Sequence, residues 1–292
     1  MGFDSRNWFP ILGPKMADEY DLRSIAPTVS DILGVPVPSG SESGPIGRVT
    51  SDLRGADRLA LIVLDGLGSV VWEHAKAELP VLSTLAELHH MEIQSVLPSM
   101  TYICLSTMVT GVSPETHGIA DLESMVAATQ SSSLDTVFDS VRGTGQKTLL
   151  AVHERDVKGV PVARFADRVV LAKEPNDDEI YSQVPVEAER YRPSFLFVHL
   201  LDIDEAGHRY GPYSEKVKQS ARVMNGRLGD LLLRLAGWGY AVILVADHGM
   251  HEAPEGEEGR GQKGIHDGSV EEDLAVPFIW ATAAEVQRFL QA

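Results

Sequence analysis

Short apolar runs alternate with amphipathic stretches along most of this chain. LALIVL (59–64), KTLLAV (147–152), SFLFVHLL (194–201) and YAVILVA (240–246) are continuous apolar runs of strand length. MEIQSVL (91–97), DRVVLA (167–172) and AVPFIWA (275–281) are weaker strands of the same kind. Helical spacing fits 70–78, 81–89, 102–110, 134–142, 214–236 and 283–291. A short helix over 21–34 is closed by Gly34, and the Pro-, Gly- and Ser-rich stretch 35–50 reads as a loop. Strands that are apolar throughout must be covered on both faces. The pattern therefore predicts an α/β fold, with a mostly parallel central sheet and helices on both faces. Residues 1–20 lack a period and read as an N-terminal extension, which leaves 21–292 as one catalytic domain.

Three apolar runs lead into an aspartate: LIVL into Asp65, FVHLLDI into Asp204 and VILVA into Asp247. Ligands of open parallel sheets bind beyond the carboxyl ends of the strands. An aspartate there is more often a cap or turn residue. Three of them, each with histidine or glycine attached, point further. Asp204 and His208 stand four apart around Gly207, Asp247 and His248 are adjacent, and His266 lies between Gly264 and Gly268. Imidazole and carboxylate without thiolate suit zinc or manganese. His74, His89, His90, His153 and His199 read as structural, and His117 and His251 as structural or supporting.

Within SVLPSMTYICLSTMVTGVSPETHGI (95–119), Thr101 sits where a strand and polar break give way to a helix. The N-terminus of a helix favours phosphate. A threonine hydroxyl there needs a base or metal before it can attack, or else it is only a cap.

Charge and composition narrow the partners. The net charge of -17 opposes nucleic-acid polymers and anionic lipid, so a small phosphorylated substrate needs local cations. No run of about twenty apolar residues suggests a membrane span. The single cysteine, Cys104, excludes an internal disulfide, and a cytoplasmic setting is expected.

The stretches LIVLDGLG, PSMTYICLSTMVTGVSPETHGI, LLDIDEAGHRYGP, VADHGM and GIHDGS…VPFIW resemble the alkaline phosphatase superfamily. The match lies in its type I phosphodiesterase/nucleotide pyrophosphatase-like branch, which includes phosphonoacetate hydrolases. The resemblance implies two zinc-like ions, one held by Asp204, His208 and His266, the other by Asp65, Thr101, Asp247 and His248. It also implies attack by Thr101, a covalent phosphothreonine, and hydrolysis of phosphate esters, with diesters or nucleotide pyrophosphates favoured. Phosphomonoester and phosphonate cleavage are alternatives on the same site. Cys104 departs from the diesterase branch, which commonly carries an asparagine there, and a thiol is a weak donor. IAPTVSDILGVPVP (25–38) resembles a segment that many members carry near the C-terminus, which predicts packing beside the final helix.

Three rival readings are a dinucleotide-binding oxidoreductase, a phosphomutase and a non-catalytic phospho-ligand binding protein. Gly66-Leu67-Gly68 follows a strand as a dinucleotide fingerprint does, but Val71 takes its third glycine position. A phosphomutase needs a second large clamping domain, for which no segment stands out. A non-catalytic relative would lack ligands, and none is missing. Substrate choice is expected from 112–193, with 120–133 and 153–190 as lining loops.

Overall fold

The computed structural model describes residues 20–119, 134–154, 166–254 and 261–291. Its centre is a seven-stranded sheet: β1 (Leu59–Leu64), β2 (His90–Gln94), β3 (Thr148–His153), β4 (Arg168–Ala172), β5 (Phe195–Leu200), β6 (Ala241–Val245) and β9 (Ala275–Ala281). The spatial order is β2-β9-β6-β1-β5-β3-β4. β1 pairs in parallel with β5 and β6, whereas β9 runs antiparallel to both β6 and β2. Every residue of β1, β5 and β6 is buried, as their unbroken apolar sequences require. Each fully buried aliphatic side chain there contributes roughly 1.5–3 kcal/mol.

One face of the sheet is covered by α1 (Ile25–Leu33), α2 (Gly47–Asp52), α5 (Thr101–Thr110) and α7 (Val137–Gly143). The other carries α3 (Ser69–Ala75), α4 (Pro80–Leu88), α8 (Asp178–Tyr191), α10 (Glu215–Gly237) and α11 (Ala283–Leu290). In α10 the buried Val217, Ala221, Met224, Leu228, Leu231, Leu232 and Leu235 form one stripe. Its buried Asn225 also accepts hydrogen bonds from the N–H groups of Val81 and Leu82, which caps α4 from outside.

Three expectations need correction, and a fourth falls outside the described residues. α2 begins inside the stretch read as a loop, because Ile46, Val49 and Leu53 form an apolar stripe despite glycine and serine neighbours. α8 occupies the end of the expected lining loop 153–190, and its buried side packs on α10. Residues 120–133 and 155–165, also expected to line the site, lie outside the described residues. Finally, α1 packs on α2, α5, α7 and β1, while α11 packs on α10 and α4, so the expected pairing with the final helix is not made. The N-terminal region reaches the last strand through α2, where Trp280 donates from Nε1 to Asp52 at 3.0 Å.

Candidate metal centre

Asp65 comes directly after β1 and Asp247 two residues after β6, both at the carboxyl edge of the sheet. Thr101 opens α5, reached from the end of β2 at the same edge. The Asp204 position differs from expectation: β5 stops at Leu200, and Asp204 lies in the first turn of α9 (Asp202–Tyr210). Asp204 and His208 therefore share a helix face at i and i+4. Gly207 lies within this helix, and a Cβ on it would stand 2.3 Å from the Met250 sulfur. His266 follows the two-residue strand β8 (Gly264–Ile265), which pairs with β7 (His251–Glu252).

All seven residues converge. Asp204 lies 3.3 Å from His208 Nε2 and 3.6 Å from His266 Nε2, and the two imidazole nitrogens are 3.1 Å apart. Alongside, His248 Nε2 is 3.3 Å from Asp65, 3.2 Å from Asp247 and 3.2 Å from Thr101 Oγ1. His248 stacks on His266 with centroids 3.7 Å apart, which joins the two groups.

The hydrogen bonds fix the tautomers. His208, His248 and His266 each face a backbone carbonyl with Nδ1, those of Gly264, Gly249 and Ser99 respectively. A carbonyl only accepts, so each Nδ1 carries a proton and each neutral ring turns a bare Nε2 lone pair inward. Two such lone pairs at 3.1 Å repel unless a proton or cation lies between them. Asp65 Oδ1, Asp204 Oδ1 and Asp247 Oδ2 are buried without a hydrogen-bond partner. Orphaned carboxylate oxygens facing bare imidazole nitrogens fit divalent cations with nitrogen and oxygen ligands.

Burial and crowding shift the titration of these side chains. Burial, then the charges of Asp247 and Asp204, holds Asp65 well above the usual carboxylate range. Burial also pushes Asp247 up to about 6. Desolvation lowers His248 and His266 to about 4, the latter helped by its stacked neighbour. Burial opposes charge on Asp204 too, but hydrogen bonding to His208 and the nearby imidazoles leave its carboxyl below the ordinary value. His208 is raised: burial lowers it, and the bond to Asp204 outweighs that.

Glycines let these segments meet. A Cβ on Gly68 would lie 2.3 Å from the Gly249 Cα, and one on Gly249 would lie 1.9 Å from the Glu272 carbonyl oxygen. Gly66 has φ of 71° and presses on Asp204. The Gly-Leu-Gly run after β1 thus serves close backbone approach inside the site, which removes the basis of the dinucleotide reading.

Residues first read as structural divide. His199 Nε2 lies 3.0 Å from Asp65 Oδ2, so it supports the site although its position mid-strand suggested packing. His117 is buried and accepts from the Ile119 N–H through Nδ1, so its Nε2 proton goes to Thr107. Cys104 is fully buried, with its sulfur 3.4 Å from Ser95 Oγ. Burial drives its thiol well up, so it is an inert core group and offers no contact to a phosphate. Sequence reasoning missed Asp177 and Asp273, both fully buried carboxylates beside the site.

Fold and cluster together define an α/β protein with a compact nitrogen–oxygen centre at the carboxyl edge of its sheet and a threonine hydroxyl within it. The model of the type I phosphodiesterase / nucleotide pyrophosphatase family matches residues 59–141 and 153–276, and the chain belongs to that family. It is 26% identical over 240 residues to venom phosphodiesterase 2 of Crotalus adamanteus, covering 73% of this chain and 28% of that protein. The chain thus spans about a quarter of the length of such curated relatives. Among solved structures, the phosphonoacetate hydrolase of Sinorhizobium meliloti 1021 in complex with phosphonoformate superposes with a TM-score of 0.51 at 17% identity, over 68% of this chain and 58% of that one. An inactive form of murine ectonucleotide pyrophosphatase / phosphodiesterase 5 in complex with AMP gives 0.55 at 16% identity, with the same coverage. Among the described residues, no helix is long and apolar enough to cross a membrane.

Proposed function

We propose that this chain is a two-metal phosphoric ester hydrolase that acts on a small phosphorylated substrate, of phosphodiester or nucleotide pyrophosphate type, with Thr101 as nucleophile. The carrying observation is Thr101 Oγ1 placed 3.2 Å from His248 Nε2, beside three buried carboxylate oxygens that lack partners. Asp204, His208 and His266 would hold one cation, and Asp65, Asp247, His248 and the Thr101 oxygen the other. Zinc suits these donors best and manganese is the alternative. When bound, the ions supply Lewis acidity to the reacting oxygens and offset the carboxylate charge.

The chain's own part follows from its geometry. The N–H groups of Ile103 and Cys104 already donate to the Met100 carbonyl, so α5 offers the phosphoryl oxygens chiefly the positive end of its dipole. The Thr101 hydroxyl gives its proton to solvent as its oxygen attacks phosphorus, the bond to the leaving oxygen breaks, and that oxygen takes a proton from solvent. Water then attacks the phosphothreonine from the vacated side, which releases phosphate or a phosphomonoester and returns the proton to Thr101. His248, held in one tautomer by Gly249, keeps its Nε2 turned toward the Thr101 oxygen and its neighbouring carboxylates.

The AMP complex of the murine relative and the venom phosphodiesterase likeness support the diester reading. The second reading is a phosphonate or monoester hydrolase. It is favoured by the phosphonoacetate hydrolase likeness and by the buried Cys104, which leaves that position without an amide. The test compares bis-p-nitrophenyl phosphate, p-nitrophenyl phosphate and a p-nitrophenyl phosphonate, with zinc and manganese supplied separately. Fastest kcat/KM on the diester supports the first reading and fastest on either other ester supports the second. No metal-dependent turnover of any ester rejects both. A cytoplasmic setting is part of this reading and rests on the single cysteine alone.

A further inference from the structure

Two buried carboxylates outside the cluster grip the backbone of segments that carry its side chains. Asp177, fully buried just before α8, accepts the N–H of Leu201 at 3.0 Å with Oδ1 and that of Asp202 at 3.1 Å with Oδ2. These N–H groups start α9, whose own N-cap side chain makes no capping bond. The grip is reciprocal, because Asp202 Oδ1 accepts the Asp177 N–H at 3.2 Å. His153 braces Asp177 from behind, with Nε2 2.9 Å from Oδ1 and Nδ1 on the Glu174 carbonyl. Asp273 is fully buried too. Its Oδ2 accepts the N–H groups of Asp267 at 3.1 Å and Gly268 at 2.9 Å, the turn directly after His266. Its Oδ1 lies 2.8 Å from His251 Nδ1, on the strand that pairs with β8.

Both grips act on the same half of the centre. α9 carries Asp204 and His208, and the Asp267–Gly268 turn follows His266. The other half, Asp65, Asp247 and His248, hangs on β1 and β6 and touches neither carboxylate side chain through these bonds. We infer that Asp177 and Asp273 are positioning residues for the Asp204–His208–His266 metal site alone. The inference rests on the two-metal reading above. Loss of either grip frees backbone donors, lets the ligand segment drift, and lowers affinity at one site of the two.

The two carboxylates differ in what an amide can replace. Each oxygen of Asp177 accepts a backbone N–H, so an asparagine there must point its NH2 at a donor in either orientation. At Asp273 both backbone donors share Oδ2, and the other oxygen faces an imidazole that can present a lone pair instead. Asparagine is tolerated at 273 and harmful at 177.

The test is zinc titration of the full chain, stripped by chelator, by calorimetry, with circular dichroism and melting of the stripped proteins alongside. H208A supplies the reference for a chain that has lost the α9 site. Wild type is expected to bind two ions. D177N and D273A are expected to keep one site at wild-type affinity and weaken the other by about 10- to 100-fold, matching H208A in pattern. D273N is expected to bind both ions nearly as wild type does. Fewer than two ions in wild type would reject the metal reading itself. Two sites of wild-type affinity in D177N and D273A, or equal weakening of both sites in them, would overturn the positioning role. If D273A does not fold, the contrast between D177N and D273N decides: equal behaviour in folded protein overturns the inference.

Discussion

The two halves of the centre are built on different foundations. Asp65 and Asp247 follow strands whose every residue is buried, and the register β6-β1-β5 fixes where they stand. Asp204, His208 and His266 stand on a nine-residue helix and a loop after a two-residue strand. Their hold comes from carboxylates 27 positions before Asp204 and 7 after His266. A site carried by sheet ends inherits the rigidity of the core. A site carried by helix starts and turns must be tied by side chains that make no contact with the substrate. The difference teaches that a motif names the ligands, while the supporting shell has to be found in space.

The largest effect probes the atom that both halves serve. Thr101→Ala should lower kcat by about 1,000-fold or more, roughly 4 kcal/mol, with the far-UV spectrum unchanged. Steady-state kinetics on the preferred ester check it, and wild-type rates would remove Thr101 from the chemistry.

Next comes the metal itself. Chelation should abolish turnover, and zinc at a hundred times its Kd should raise stability by about 2.7 kcal/mol per site. Thermal melts with and without chelator measure this. Identical melting and full turnover in stripped protein would contradict the centre.

A backbone change sharpens the comparison from the sheet side. Gly249→Ala places a Cβ on the Glu272 carbonyl and should cost about 2–3 kcal/mol in denaturant unfolding, with weaker binding at the Asp65–Asp247–His248 site. An unchanged midpoint would show that the close approach is not required.

The smallest expected effect has the opposite sign. Asp247 is raised to about 6, above its value in the unfolded chain. The unfolded state therefore loses its proton first, and stability of the stripped protein falls as pH rises from about 4 through 6. Asp247→Asn should then stabilise the stripped protein at pH 8 by on the order of 1–2 kcal/mol, while zinc binding at its site is lost. A stripped D247N that unfolds more easily at pH 8 than wild type would refute the sign.

Much of this was legible from the sequence. The strands 59–64 and 194–201 were clear because continuous apolar runs have few other uses, and the clustered residues stood out because aspartate, histidine and glycine recur at those strand ends. α2 escaped notice because glycine and serine diluted a three-residue apolar stripe. α8 was missed because Pro185 lies inside it and its charged residues face solvent. Asp177 and Asp273 had no signature at all: one sits in the acidic run NDDE and the other in EED, and burial alone separates them from neighbours that face solvent. His199 looked like packing in a core strand until Asp65 stood beside it.

The central claim is that two cations sit between these side chains. Anomalous diffraction from crystals grown with zinc, recorded on both sides of its absorption edge, tests it most directly. The account predicts two peaks, one bounded by Asp204, His208 and His266, the other by Asp65, Asp247, His248 and the Thr101 oxygen. A fully ordered cluster with no anomalous peak in zinc-saturated crystals would contradict it.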